Sequence, residues 1–161
     1  DMDELGAQAA AVVEKMARSG FNDLAEGVAL KLYSKIRYDN DRIEAKKTEA
    51  GWEAYTDGGR NKTGKDVLKW AEEAVRLGAG EILVTSIDKD GTRRGPDWDL
   101  LKSLKTEVPL LYSGGIRLQD VQEASQYTDG LVVGASLHYR DCTISQIKSE
   151  LRRVGKEVRL T

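Results

Sequence analysis

The run Gly78-Ala79-Gly80-Glu81-Ile82-Leu83-Val84-Thr85-Ser86-Ile87-Asp88-Lys89-Asp90-Gly91-Thr92 restricts this chain more than any other segment. It opens as a glycine-rich turn, continues as an uninterrupted apolar strand and ends in a loop that starts with two acids. Leu83 and Val84 leave little polar surface in mid-strand, the pattern of a parallel strand covered by helices on both faces. Asp88 and Asp90 fall where that strand ends. In barrels of parallel strands the C-terminal strand ends line the active site, so chemistry is expected there.

The surrounding pattern alternates helix and strand. Asp66 to Leu77 places Val67, Trp70, Ala71, Ala74 and Leu77 on one helical face, with Gly78 suited to the C-cap. A helix from Pro96 would bury Leu100, Leu101 and Leu104. Val108 to Tyr112 reads as a second strand ending in Ser113-Gly114-Gly115. Leu118 to Gln126 reads as a short helix, and Asp129 to Ala135 as a third strand ending in Gly134-Ala135-Ser136. Thr143 to Val154 reads as a last helix with Ile144, Ile147 and Leu151 inward. Short connections imply right-handed strand–helix–strand units.

The N-terminal part is less regular. Asp3 to Ser19 predicts an amphipathic helix, and Val28 to Tyr33 a strand. Ile36 to Tyr55 reads as a ribbon or long excursion: Arg42 to Lys46 and Trp52 to Tyr55 alternate around a Glu49-Ala50-Gly51 turn, and the charge-rich segment 35–49 is expected as a solvated ribbon. This makes about four strands and five helices. A complete eight-stranded barrel takes about 250 residues, so 161 residues imply half of such a barrel or a small open α/β sheet, in one domain.

Composition removes several classes of function. A net charge of −2 gives no nucleic-acid footprint. No apolar run is long enough to span a membrane and no signal peptide opens the chain, so a cytoplasmic protein is expected. One cysteine (Cys142) and one histidine (His138) exclude an internal disulfide and make His-rich metal sites and Cys–His pairs unexpected. No metal or cofactor is therefore expected.

From Thr56 to Leu160 the chain resembles the C-terminal half of the cyclase subunit of imidazole glycerol phosphate synthase, in the HisA/HisF superfamily. The matching pieces are Gly58-Gly59-Arg60-Asn61-Lys62-Thr63-Gly64, Gly78 to Thr92, Ser113-Gly114-Gly115, Gly134-Ala135-Ser136-Leu137-His138-Tyr139 and Glu157-Val158-Arg159-Leu160. The resemblance implies half of a (β/α)8 TIM barrel with about four parallel strands. Residues 57–161 would be the family-like half and 1–56 a remodelled N-terminal segment of the same domain. Family activity is ring closure in histidine biosynthesis, with a glutaminase partner that delivers ammonia. By resemblance, Asp90 matches a substrate-binding and catalytic aspartate, with Asp88, Thr85, Ser86 and Thr92 lining the same mouth. Glu81 matches a gate residue at the opposite end. Ser113, Gly114, Gly115, Gly134, Ala135 and Ser136 match the phosphate site. Independently, paired glycines admit backbone N–H groups to an anion, and Ser136 can donate from a helix start.

The family's two catalytic aspartates lie on its first and fifth strands. With Val28 to Tyr38 as the fifth strand, Ser34 occupies the acid position, which leaves the acid–base pair incomplete. Alternatively, Glu14 to Leu30 is the helix and strand preceding a fifth strand that is shortened or lost; either way the acid–base pair is missing and full cyclase activity is not expected. Three functions follow: a phosphate-binding half-barrel without cyclase chemistry, half of a split cyclase completed by an N-terminal half-barrel, or a non-binding structural module. Open strand edges and an apolar inner face imply a homodimer in the first case. Local alternatives also stand: Asp90-Gly91 is a common tight turn, Ser113-Gly114-Gly115 a strand terminator, and Trp52, Trp70 and Trp98 core anchors.

Overall fold

The computed structural model describes residues 42–159, within one compact unit, Asp41–Thr161. The predicted helix at Asp3 to Ser19, the strand at Val28 to Tyr33 and Ser34 lie outside the described residues.

Six strands form one sheet: β1 (Arg42–Thr48), β2 (Gly51–Thr56), β3 (Asn61–Asp66), β4 (Ile82–Ser86), β5 (Leu110–Ser113) and β6 (Gly130–Val132). Their order is β3-β2-β1-β4-β5-β6. β1, β4, β5 and β6 run parallel, while β2 and β3 extend the β1 edge as an antiparallel meander. The helices are α1 (Val67–Arg76), α2 (Trp98–Ser103), α3 (Val121–Ala124), α4 (Ala135–His138) and α5 (Ile144–Arg153), with a 3-10 turn at Leu118–Asp120. Four parallel strands with α-helical crossovers are the architecture of half a TIM barrel.

Of the segment expected as a ribbon, the described residues from Arg42 onward are instead part of the sheet. Residues 49–50 make the expected turn, but β1 also pairs in parallel with β4, from Arg42↔Leu83 to Ala45↔Ser86. Ile43, Glu44 and Ala45 are buried as a result. Alternation of charged and apolar residues is the same for a free ribbon and for an edge-to-centre strand, so the pattern alone does not separate them.

One face of β1, β4 and β5 is buried. Ile43, Ala45, Ile82, Val84, Leu110 and Tyr112 join Val67, Ala71, Ala74, Leu100, Leu101, Val121 and Ile147 in a single core. The other face carries Leu83, Leu111 and Val132, all partly or largely exposed among the described residues. Full cover on both faces, expected from Leu83-Val84, is therefore not seen within residues 42–159. Two helical residues expected inward also point to solvent: Leu77 closes α1 at 52% exposure and Ile144 opens α5 at 59%. Both sit at helix termini, where the apolar stripe no longer faces the sheet.

A buried junction ties the outer layer together. The Asp97 carboxylate accepts from Leu100 N at 3.2 Å, capping α2, and from Trp52 Nε1 at 2.9 Å. Its own N–H donates to the Tyr112 hydroxyl at 2.9 Å. Burial pushes the Tyr112 phenol up to about 12, offset only in part by the Asp97 N–H.

Candidate functional site

In-register pairing sets a row of side chains across the four parallel strands. Glu44 lies opposite Thr85, Thr85 opposite Ser113, and Ser113 opposite Val132. Paired residues share a face, so these four point away from the helices, toward what would be the barrel interior. The row sits toward the C-terminal ends of the strands, where barrel chemistry is placed.

Glu44 is the acid in this row, and it was not expected from sequence. It is 8% exposed. Its carboxylate accepts from the Gly59 backbone N–H and pairs with Arg42 Nη2 at 3.1 Å. Gly59 belongs to the loop between β2 and β3 and sits close over Ile87, whose Cδ1 would lie 3.1 Å from an added Cβ. The hairpin thus folds over the sheet rim and orients the carboxylate. The strand beside β4 carries an acid after all: Arg42–Thr48, with Glu44, occupies this place.

The loop after β4 divides the residues that the sequence grouped together. Thr85 belongs to the inner row. Ser86, one residue later, points to the helical side by the period-two alternation and is 1% exposed, beneath Gly114. It does not line the mouth. Asp88 turns toward β1, accepting from Lys46 Nζ and from Lys47 N at 2.8 Å. Partial burial pushes its carboxyl up, yet these donors and the Lys46 charge outweigh that and hold it below the ordinary value. Thr92 spends its hydroxyl locally, donating to Lys89 O at 2.7 Å and accepting from Arg94 N at 3.3 Å. Asp90 is anchored by its N–H to Ser86 O at 2.9 Å. Its carboxylate is exposed and has no hydrogen-bond or ion-pair partner among the described residues, which leaves it available to a ligand.

The glycines have internal reasons for being glycine. Gly114 lies at φ 122°, and a Cβ there would meet Ser86 O at 2.8 Å. Gly115 lies at φ 76°, and its Cβ would collide with Gly95 O and meet Lys89 O at 3.1 Å. The β4 loop packs directly on this turn, so the paired glycines are required by the fold whether or not an anion binds. Gly134 differs: a Cβ there would have nothing within 4 Å. Ser113 is half-buried in the inner row, and Ala135 begins α4. The Ser136 side chain is buried and its hydroxyl donates to Ile116 O at 2.7 Å. What Ser136 offers a ligand is its backbone N–H, one of the unpaired donors of a first helical turn.

Other candidates fall away from the mouth. Glu81 is exposed just before β4, at the opposite strand end. Cys142 is buried, which raises its thiol pKa and keeps it protonated. His138 is exposed and packs edge-on to Tyr139 at 5.0 Å between ring centroids. Trp52, Trp70 and Trp98 pack against the core. Among the described residues no cluster of three or more His, Cys, Asp or Glu could hold a metal, and no helix is long and apolar enough to cross a membrane.

Comparison with known proteins agrees with this arrangement. The model of the family described as histidine biosynthesis protein matches residues 24–143. The chain belongs to that family. Within it, similar proteins include the imidazole glycerol phosphate synthase subunit HisF of Prochlorococcus marinus, 42% identical over 127 residues, covering 74% of this chain and 49% of the relative. The HisF subunit of Pyrobaculum aerophilum is 43% identical over 122 residues, covering 73% and 48%. That of Clostridium beijerinckii is 36% identical over 165 residues, covering 98% and 62%. The chain thus spans about half, and at most about three fifths, of the length of these curated relatives. A match reaching from residue 24 past β6 places β1, with Glu44, inside the family-like region.

Proposed function

We propose that this chain furnishes part of an imidazole glycerol phosphate synthase cyclase centre, in histidine biosynthesis. The observation that carries the reading is the position of Glu44: a buried acid on the parallel neighbour of β4, in register with Thr85 at the mouth. The family resemblance implies a catalytic aspartate on that strand, and glutamate supplies the same carboxylate one methylene further out. Positioned by Gly59 N–H, Glu44 would transfer protons during ring closure. Positioned acid–base groups of this kind contribute about 10²–10⁴-fold to rate. Asp90, unpaired on the facing loop, would hold the substrate from the neighbouring strand end. The turns at Gly114–Gly115 and Gly134–Ser136 would take a phosphate through backbone N–H groups, as barrels commonly do after their last two strands.

The partly exposed inner face favours a complementary half-barrel as partner. Leu83, Leu111 and Val132 form an apolar band that the N-terminal half of a related cyclase would bury. That half would also bring the family's other catalytic aspartate. A second copy of this chain on the same face is the competing arrangement.

The test is ammonia-dependent formation of imidazole glycerol phosphate by this chain combined with the N-terminal half of the Clostridium beijerinckii subunit. Turnover that falls by two orders of magnitude or more in Glu44→Gln supports the reading. Turnover unchanged in that variant refutes it. A homodimer by light scattering that binds phosphate but never turns over favours the non-catalytic half-barrel.

A further inference from the structure

Four contacts close a ring through the loops that follow β4, β5 and β6. Gly95 N donates to Gly115 O at 2.9 Å. The next residue, Ile116, accepts from the buried Ser136 hydroxyl at 2.7 Å. Ser136 O accepts from Asp141 N at 2.9 Å. The Asp141 carboxylate accepts from Arg93 Nη1 through both oxygens, at 2.9 and 3.1 Å, and Arg93 lies two residues from Gly95. Three of these links use backbone groups or a buried hydroxyl. The fourth joins side chains that are 39% and 44% exposed, so it alone can open without disturbing the core.

Arg93 is built for this contact. Its backbone lies at φ 55°, a left-handed conformation that a long side chain rarely adopts. Its guanidinium carbon stands 4.3 Å from the centroid of the Tyr139 ring, which covers the ion pair on one side. The same loop is held at its other end by Asp88 on Lys46 and Lys47. It is therefore strapped from β1 across to the loop after α4, with Asp90 between the two anchors.

We propose that Arg93 is a positioning residue: its ion pair with Asp141 closes the ring and fixes Asp90 relative to the phosphate cradle at Gly114–Gly115 and Gly134–Ser136. The inference rests on the phosphate reading given above. It differs from a direct role, in which Arg93 would itself contact the phosphate, because the two roles respond oppositely to loss of Asp141. If Arg93 positions, removing the Asp141 charge weakens binding. If Arg93 binds directly, the same change releases the guanidinium to the ligand.

The experiment is calorimetric titration of the full chain with imidazole glycerol phosphate at low salt, alongside trypsin cleavage after Lys89 and Arg94 without ligand. Arg93→Ala and Asp141→Asn should each weaken binding by about two- to fivefold, the range of a surface ion pair. Each should speed cleavage of the 88–95 loop. Arg93→Lys, which keeps the charge, and the exchanged pair Arg93→Asp/Asp141→Arg should bind within about twofold of the parent. Unchanged or tighter binding in Asp141→Asn, with weak binding in Arg93→Ala, overturns the positioning role. Identical affinity and cleavage in every variant overturns it as well. Failure of the parent chain to bind would sink the phosphate reading and the inference with it, whereas parental binding with unaffected variants sinks the inference alone.

Discussion

The Glu44 carboxylate accepts a hydrogen bond from the backbone N–H of Gly59, which fastens the β2–β3 loop to the rim of the parallel sheet. The contact gives one side chain two separable duties, holding the loop and carrying the charge at the mouth. Glu44→Gln keeps an acceptor for Gly59 and should leave the urea midpoint close to the parent. Glu44→Ala leaves that N–H and the Arg42 guanidinium without their acceptor, at a cost of about 1–3 kcal/mol. A midpoint equally lowered in both variants would show that charge, not the hydrogen bond, holds the loop.

Gly115 and Gly155 share φ 76° but not their surroundings. At Gly155 a Cβ would meet nothing within 4 Å, so Gly155→Ala carries only the left-handed backbone penalty, roughly 1 kcal/mol. At Gly115 the Cβ collides with the Gly95 carbonyl, which cannot swing aside because Gly95 N is bonded to Gly115 O. Gly115→Ala should therefore cost clearly more, about 2 kcal/mol or above, by denaturant unfolding. Equal losses in the two variants would mean that the β4 loop yields freely and does not pack on the turn. The comparison also warns that weak phosphate binding in a Gly115 variant reports loop displacement as readily as a lost anion contact.

Tyr112 gives the fold an alkaline limit. Its phenol titrates near pH 12 in the folded protein because it is buried, against about 10 when exposed. The folded state thus favours the protonated phenol, so stability is full below pH 10 and declines as pH rises from about 10 toward 12. Two units correspond to about 2.7 kcal/mol. Tyr112→Phe should flatten that decline while losing the acceptor of Asp97 N–H, about 1 kcal/mol at neutral pH. Stability followed by circular dichroism from pH 8 to 12 in both proteins measures the effect. Parallel curves would refute it.

How much of this was legible in the sequence depends on what fixed each element. The segments at 66–77, 81–87, 96–104, 108–112 and 129–135 follow from helical stripes or short apolar runs bounded by turn residues, and all formed near their expected places. β1 was not legible as a wall strand because Arg42, Glu44, Lys46 and Lys47 load it with charge, and only parallel pairing with β4 reveals it. Its acid was missed for the same reason. The signal available was Ile43-Glu44-Ala45-Lys46, a short alternating run ahead of the Gly58–Gly64 motif at the distance a strand and hairpin require. Ser86 and Ser136 were misjudged at the level of side chains: both stand at the right strand end, yet one faces the helices and the other spends its hydroxyl on Ile116. Grouping residues by strand end ignores the alternation of faces, and a serine in a glycine-rich turn reads the same whether it serves a ligand or the backbone.

Asp88, first met as a candidate catalytic acid, instead gives the β4 loop an acid-sensitive anchor. Partial burial raises its carboxyl pKa, but the hydrogen bonds from Lys46 Nζ and Lys47 N and the attraction of Lys46 lower it further, so the net shift is downward. A depressed folded value means that the contribution is present above the unfolded value, about 3.9, and is lost as pH falls through the folded value. Lys46 is shifted the other way by the same partner, first through the hydrogen bond and then through charge, so its contribution persists to alkaline pH and disappears as pH rises through its own raised value. Both side chains are partly exposed, at 41% and 31%, which limits the pair to about 0.2–1 kcal/mol. Asp88→Asn should therefore be less stable than the parent by that small margin from pH 5 to 8, and the gap should narrow below about pH 3.5 and in molar salt. Urea midpoints for both proteins between pH 2.5 and 8 decide the matter. A gap that stays constant to pH 2.5 would mean that the Asp88 charge contributes nothing and that the loop is held by its other contacts.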